Sequence, residues 1–160
     1  AAEVGVGTLF RYAGSKAELL VAVMNNRFAE GIEAGLSEAA GGRTMAESIV
    51  TILRPFVEES MTHPENMLAY EREALFGSVE HREKATSSVL RVEQAILQVL
   101  LLHLVEPLDP SADLEDIAHT IYAVLYLDIV KVITGRSAKA DLPARIRCSV
   151  DFLTGALLKT

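Results

Sequence analysis

A single cysteine, Cys148, is all the thiol that these 160 residues carry, so no internal disulfide can form and a reducing compartment suits the chain. Cys148 falls in a periodic apolar segment, which predicts a small core filler rather than a reactive thiol. Proline and glycine are sparse, at five and ten residues, and leave room for long helices. No segment reaches the ~20 uninterrupted apolar residues that span a bilayer. The most apolar stretch, 95–105, is broken by Gln98 and His103. The first residues lack the basic flank and apolar run of a signal peptide. These absences predict a cytoplasmic protein with no membrane partner.

Basic charge is short as well. Fifteen Lys and Arg against 22 Asp and Glu leave a net charge of −7, which argues against a nucleic-acid surface over the whole chain. Residues 1–16, however, hold Arg11 and Lys16 against Glu3 alone, so +1 sits there and −8 on the remainder. DNA contact confined to the N-terminal end is compatible with that division.

The usual catalytic constellations are missing. His63, His81, His103 and His119 are scattered without metal-ligand spacing, and Asp116-x-x-His119 occurs once where a helical di-metal oxidase needs paired motifs. No phosphate-cradling glycine loop and no nucleophile elbow appear. The expectation is no enzyme, no cofactor and no metal. The other rival is a helical adaptor that uses its apolar faces to bind another protein.

What is present is helix. Half the residues are apolar and mean hydropathy is +0.26, and the 3–4 spacing recurs where strand alternation does not. Residues 5–12 predict a short helix ended by Ala13-Gly14. Ser15 with Glu18 reads as a capping box opening a helix with Leu19, Val23, Phe28, Ile32 and Leu36 on one stripe, stopped at Gly41-Gly42. Thr44 and Glu47 form a second box. The next helix turns Ile49, Leu53 and Phe56 inward and contains Pro55, expected to kink it. His63-Pro64 opens a helix to Gly77, and another runs from about Glu80 to Val105. Asp109 with Pro110 predicts a cap and first turn for a helix ending at Gly135, and Asp141 with Pro143 does so for the last. The expected fold is all-α, with the end of a DNA-binding unit over 1–14 and a helical body over 15–160.

Residues 1–20 are the most informative. A glycine-containing turn precedes a short helix, which is followed at once by a capped long one. The start of a recognition helix must approach base edges closely, which favours Gly5, Gly7 and Thr8. Thr8 offers a hydroxyl or a methyl to a base, and Arg11 and Lys16 can reach phosphates. Lys16 lies in a helical first turn, whose amides also favour anions.

The run Gly7-Thr8-Leu9-Phe10-Arg11-Tyr12, then Lys16 and Leu19-Leu20, resembles the end of the helix-turn-helix in the tetracycline-repressor (TetR) family. The motif covers about twenty residues, and the helical layout after it is similar along the chain. The resemblance implies that Thr8, Phe10, Tyr12 and Lys16 face DNA while Leu9 packs the small domain. Three positions depart from the pattern: Phe10 replaces a tyrosine and so lacks a phosphate-binding hydroxyl, Ala13 replaces an aromatic, and Glu3 replaces a turn glycine. The family pattern places two further helices before Ala1, so DNA is the partner of the full-length protein only. It also implies a repressor released from a palindromic operator when a small-molecule effector binds the body.

The body supplies candidates for both remaining roles. The helix 110–135 is apolar on more than one side, where a surface helix needs one stripe. The resemblance implies that it and the last helix pair with their mates in a homodimer, through Ile121, Leu125, Ile129, Ile146, Val150, Leu153 and Leu157. An intramolecular core is the alternative. A sensor needs an apolar pocket with a few polar groups, for which Phe56, Met61, Met67, Tyr70, Phe76, His103, Tyr122 and Tyr126 are candidates. Asp128 and His103 interrupt apolar stripes. A buried carboxylate needs a partner, so Asp128 either meets a hydroxyl or cation across a dimer or, like Glu71, recognises a cationic or hydroxyl-bearing ligand.

Overall fold

The computed structural model describes residues 15–104 and 113–157, for 156 and 157 the backbone alone. The recognition-helix residues Gly7, Thr8, Phe10, Arg11 and Tyr12, the expected Asp109–Pro110 start and the Leu157 side chain lie outside that description. The described residues form six α-helices and one 3₁₀ turn, with no strand among them. The helices are α1 Lys16–Ala40, α2 Met45–Thr62, α3 Pro64–Phe76, α4 Val79–His103, α5 Leu114–Ile133 and α6 Leu142–Leu157, the last preceded by a 3₁₀ turn at Lys139–Asp141.

The predicted caps account for most boundaries. Ser15 accepts a hydrogen bond from the Glu18 amide at 3.0 Å, and the Thr44–Glu47 capping box closes in both directions. Pro64 sits in the first turn of α3, and the Ser78 side chain caps α4 through the His81 amide. Gly42 and Gly135, with φ of 85° and 72°, end α1 and α5 in the left-handed region that glycine enters at little cost. The start of α5 differs from expectation. Its cap is Asp113, which accepts from the amides of Glu115 and Asp116 at 2.9 and 3.4 Å.

The bundle is built around α1 and α2, which share the largest interface in the chain. The buried stripe of α1 runs through Val21, Met24, Phe28, Gly31, Ile32 and Gly35, one step around the helix from the predicted Leu19–Val23 line. Val23 is exposed. Glycine sets this orientation. A Cβ on Gly35 would stand 2.3 Å from Ile52 Cγ1 and 2.7 Å from the Ser48 carbonyl oxygen, and one on Gly31 would stand 2.6 Å from Pro55 Cγ. Pro55 is therefore a packing surface for α1 inside an α2 that remains one helix from Met45 to Thr62.

Helix α4 is long and apolar enough, by length and composition, to cross a membrane. Here it is a bundle helix. Its Ala85, Val92, Ala95, Ile96, Val99 and Leu100 join the core, and it packs on α1, α3 and α5. Cys148 corrects an expectation: it is exposed, because α6 turns Leu142, Ile146 and Val150 inward.

Candidate functional site

Between α3 and the C-terminal half of α5 lies an open groove of about 560 Å³. Its walls follow from two helical stripes. On α3, Leu68 and Leu75 are one heptad apart and share a face, with Phe76 beside them; all three are exposed. On α5, Tyr126, Val130 and Ile133 follow at four and three residues. Glu65, Ala69, Glu71, Arg72 and Thr134 complete the lining. The site is thus apolar, with a few polar groups, as ligand pockets are.

Glu71 is the group that stands out. Burial pushes its carboxyl up to about 7, since removal from water disfavours the charged form. Among the described residues it makes no hydrogen bond and no ion pair. Its neighbours register its charge. Tyr126 and Tyr122 are raised first by burial and next by Glu71. Tyr70 is raised by the same two causes, with a Ser88 hydrogen bond pulling it back.

Of the predicted ligand residues, Glu71 and Tyr126 therefore come together in this groove, joined by Phe76. Beneath it, Phe56, Tyr70 and Tyr122 form an aromatic chain through Phe28. Phe28 stacks on Phe56 at 3.7 Å and meets Tyr70 edge-on at 5.4 Å, while Phe56 meets Tyr122 edge-on at 6.2 Å. Met67 is fully buried in the same core.

His103 and Asp128 lie elsewhere. The two ring nitrogens of His103 face the carbonyl oxygens of Val99 and Arg43 at 2.9 and 2.8 Å, which latches the end of α4 to the α1–α2 turn. Asp128 is buried and paired within its own chain, with Arg145 of α6 and with Lys131 at 3.1 Å. Arg145 also donates to the Ser137 hydroxyl at 2.6 Å. Within the chain, Asp128 thus braces the α5–α6 turn.

Of the expected dimer residues, Ile121, Leu125, Ile129, Ile146 and Val150 are buried in the chain's own core. Leu153 is partly buried against them. Helix α5 is apolar on several sides because α2, α4 and α6 surround it. Among the described side chains, the large apolar residues that α5 and α6 leave outward are Leu127 and Phe152, 49% and 76% exposed. Lys16 is exposed in the first turn of α1, beside the Ser15 cap.

Sequence reasoning missed Leu68, Leu75, Val130 and Ile133. Their signal was present as apolar positions on the outer sides of two helices, which periodicity alone does not separate from core. A smaller hollow of about 290 Å³ between α4 and α5 holds Glu93 and Glu115, of which Glu93 is paired with His119 at 2.9 Å.

No protein-family model matches the chain. Among curated proteins, the HTH-type transcriptional repressor KstR of Rhodococcus jostii (strain RHA1) is 27% identical over 156 residues, which span 96% of this chain and 69% of that protein. The similarity runs through the whole helical body, and the protein it leads to is a transcriptional repressor.

Proposed function

We propose that this chain is the effector-sensing and dimerising body of a DNA-binding transcriptional repressor of the TetR type. The observation that carries the reading is the similarity to a transcriptional repressor along 96% of the chain. The Gly7-to-Lys16 motif supports it independently, since DNA contact by Thr8, Phe10, Tyr12 and Lys16 is what that pattern implies. This role requires no catalysis and no cofactor, and it places the protein in the cytoplasm.

In this reading the α3–α5 groove takes a small-molecule effector, with Glu71 and Tyr126 as its polar contacts. Two copies associate through the outer faces of α5 and α6, where Leu127 and Phe152 project. Helix α1 is the lever. It leaves the DNA-reading end at Ser15 and runs the length of the body, packed on α2, α4 and α3. Palindromic half-sites require reading heads about one helical turn apart, ~34–36 Å. An effector that binds a body with a different head spacing weakens operator binding by its differential affinity for the two states.

The test uses the full-length product of the gene encoding this chain and the intergenic DNA beside that gene. Fluorescence anisotropy across a salt series should give tight binding that weakens steeply with salt, while the 160-residue chain alone gives none. A folded full-length protein that binds neither that DNA nor pooled genomic fragments would defeat the repressor reading in favour of a protein-binding adaptor.

A further inference from the structure

Several polar groups along the α3–α5 groove already have partners. Arg72 turns toward Glu73, at 3.5 Å. The Thr134 hydroxyl donates to the Val130 carbonyl at 2.7 Å. Among the described residues Glu71 has neither hydrogen bond nor cation, nor does the Tyr126 hydroxyl across the groove have a partner, and partial burial makes the unpaired carboxylate costly. The second acid of the lining, Glu65, adds negative charge, and its neighbour His63 stands 3.8 Å away.

The chemistry of an occupant follows from these groups. An alkyl carboxylate would meet the acids Glu71 and Glu65, and Arg72, the lining's one cation, is already turned to Glu73. A neutral hydrocarbon would strip water from Glu71 and return nothing. A metal ion is unsuited, since hard cations need many oxygen ligands and Glu71 supplies one carboxylate. An organic ammonium satisfies the site. It pairs with a carboxylate that is partly removed from water, and the lining supplies two aromatic rings, Tyr126 and Phe76, of the kind that attract cations. The volume of about 560 Å³ falls in the range of small-molecule sites, roughly 300–1,000 Å³.

We propose that the α3–α5 groove binds a monocationic amphiphile, with its ammonium group at Glu71 and its hydrocarbon body along Leu68, Leu75, Val130 and Ile133. This deepens the effector reading given above and rests on it. The upward shift of the Glu71 carboxyl fits an acid that lacks the cation its surroundings call for.

The experiment compares three probes of equal chain length, decylammonium, decanol and decanoate, by titration calorimetry at pH 7.5 on the unaltered chain. Decylammonium should bind one per chain and at least tenfold more tightly than decanol, with decanoate weakest. Glu71→Gln should lower decylammonium affinity to the level of decanol and leave decanol unchanged. Val130→Trp should remove both by filling the groove. Equal binding of the ammonium and the alcohol overturns the proposal, and so does ammonium binding untouched by Glu71→Gln. No probe binding, together with a dimer that Val130→Trp dissociates, assigns the groove to a second copy and overturns it too. Operator release is scored separately. Release by an uncharged or anionic molecule that competes for the groove keeps the effector reading and ends the cation proposal. Tight decylammonium binding that leaves the DNA complex intact does the reverse.

Discussion

The Tyr70 hydroxyl donates to Oδ1 of Asn25 at 2.7 Å, across 45 residues of sequence. The Asn25 amide donates in turn to the Lys84 carbonyl at 3.1 Å, so one side chain of α1 holds both α3 and α4. Tyr70 is the residue before Glu71, which ties the wall of the groove directly to the lever helix. A second brace runs alongside. The buried Glu59 of α2 pairs with Arg27 of α1 and accepts from Asn66 of α3 at 3.0 Å.

Removing the first tie tests whether it transmits. Tyr70→Phe keeps the ring against Phe28 and deletes the hydroxyl's bonds with Asn25 and Ser88, so urea unfolding should show a loss of about 1–3 kcal/mol. In the full-length regulator the variant should bind effector within twofold of the parent yet release operator less completely, because coupling is a separate free energy from affinity. Unchanged release would show that the signal bypasses Asn25.

The α1–α2 contact depends on two absent side chains. Gly35→Ala puts a methyl group inside 2.7 Å of both Ile52 Cγ1 and the Ser48 carbonyl oxygen, and backbone cannot yield cheaply. Overpacking of this kind costs about 1–3 kcal/mol, partly offset by the ~1 kcal/mol helix propensity that alanine gains over glycine. A net loss of up to about 2 kcal/mol is expected in denaturant unfolding. A double-mutant cycle with Ile52→Ala should return a favourable coupling above about 0.5 kcal/mol, whereas additive losses would mean that the clash is relieved elsewhere.

These glycines also show where the sequence was readable. Ser15, Thr44, Pro64 and Gly135 announced helix ends because capping is local chemistry, decided within four residues. On α1 Phe28 and Ile32 were legible as buried, but the stripe missed at Val23, because hydrophobic patterning scores Val23 above Gly31 while close approach to Pro55 and Ile52 rewards the glycine. Ile121 and Ile146 were legible as buried but not as buried by whom, since a stripe covered by its own bundle and one covered by a second copy have the same composition. Glu71 could be named beside Asp128 as a candidate ligand contact. Its groove could not, because Leu68 and Val130 meet only through tertiary packing.

The Glu71 carboxyl also makes stability depend on pH in a window that can be isolated. Its folded value of about 7 lies above the ordinary 4.5, so between these values the folded chain holds a proton that the unfolded chain has lost. Stability therefore falls as pH rises from about 4.5 to about 7 and is flat above that. The loss is on the order of 2 kcal/mol once partial exposure of the site is allowed for. Glu47, Glu73 and Glu80 are shifted downward by hydrogen bonds with Thr44, His81 and Lys84, so their contributions vanish only below about pH 4.5. Melting temperatures across pH 5–8 should thus decline in the parent relative to Glu71→Gln, and the variant should be the more stable protein at pH 8. Parallel curves would place Glu71 in water.

In the proposed dimer the contact between copies is the outward face of α5 and α6. Phe152 is 76% exposed and Leu127 is 49% exposed, and nothing lies within 4 Å of where a Cβ on Gly155 would stand, so a second helix could approach closely there. Single exposed apolar residues are common on monomers, so exposure alone does not establish a face, and substitution must. Phe152→Glu should halve the mass measured by light scattering at micromolar concentration, because a charge buried between copies lacks a partner. It should leave the stability of the separated chain within about 0.5 kcal/mol, as surface changes do. Ile129→Glu, in contrast, should unfold the chain outright, since that position is 2% exposed within one copy. A dimer that survives Phe152→Glu and Leu127→Glu together would move the interface to the α3 side, where Leu75 and Phe76 are the next exposed apolar residues.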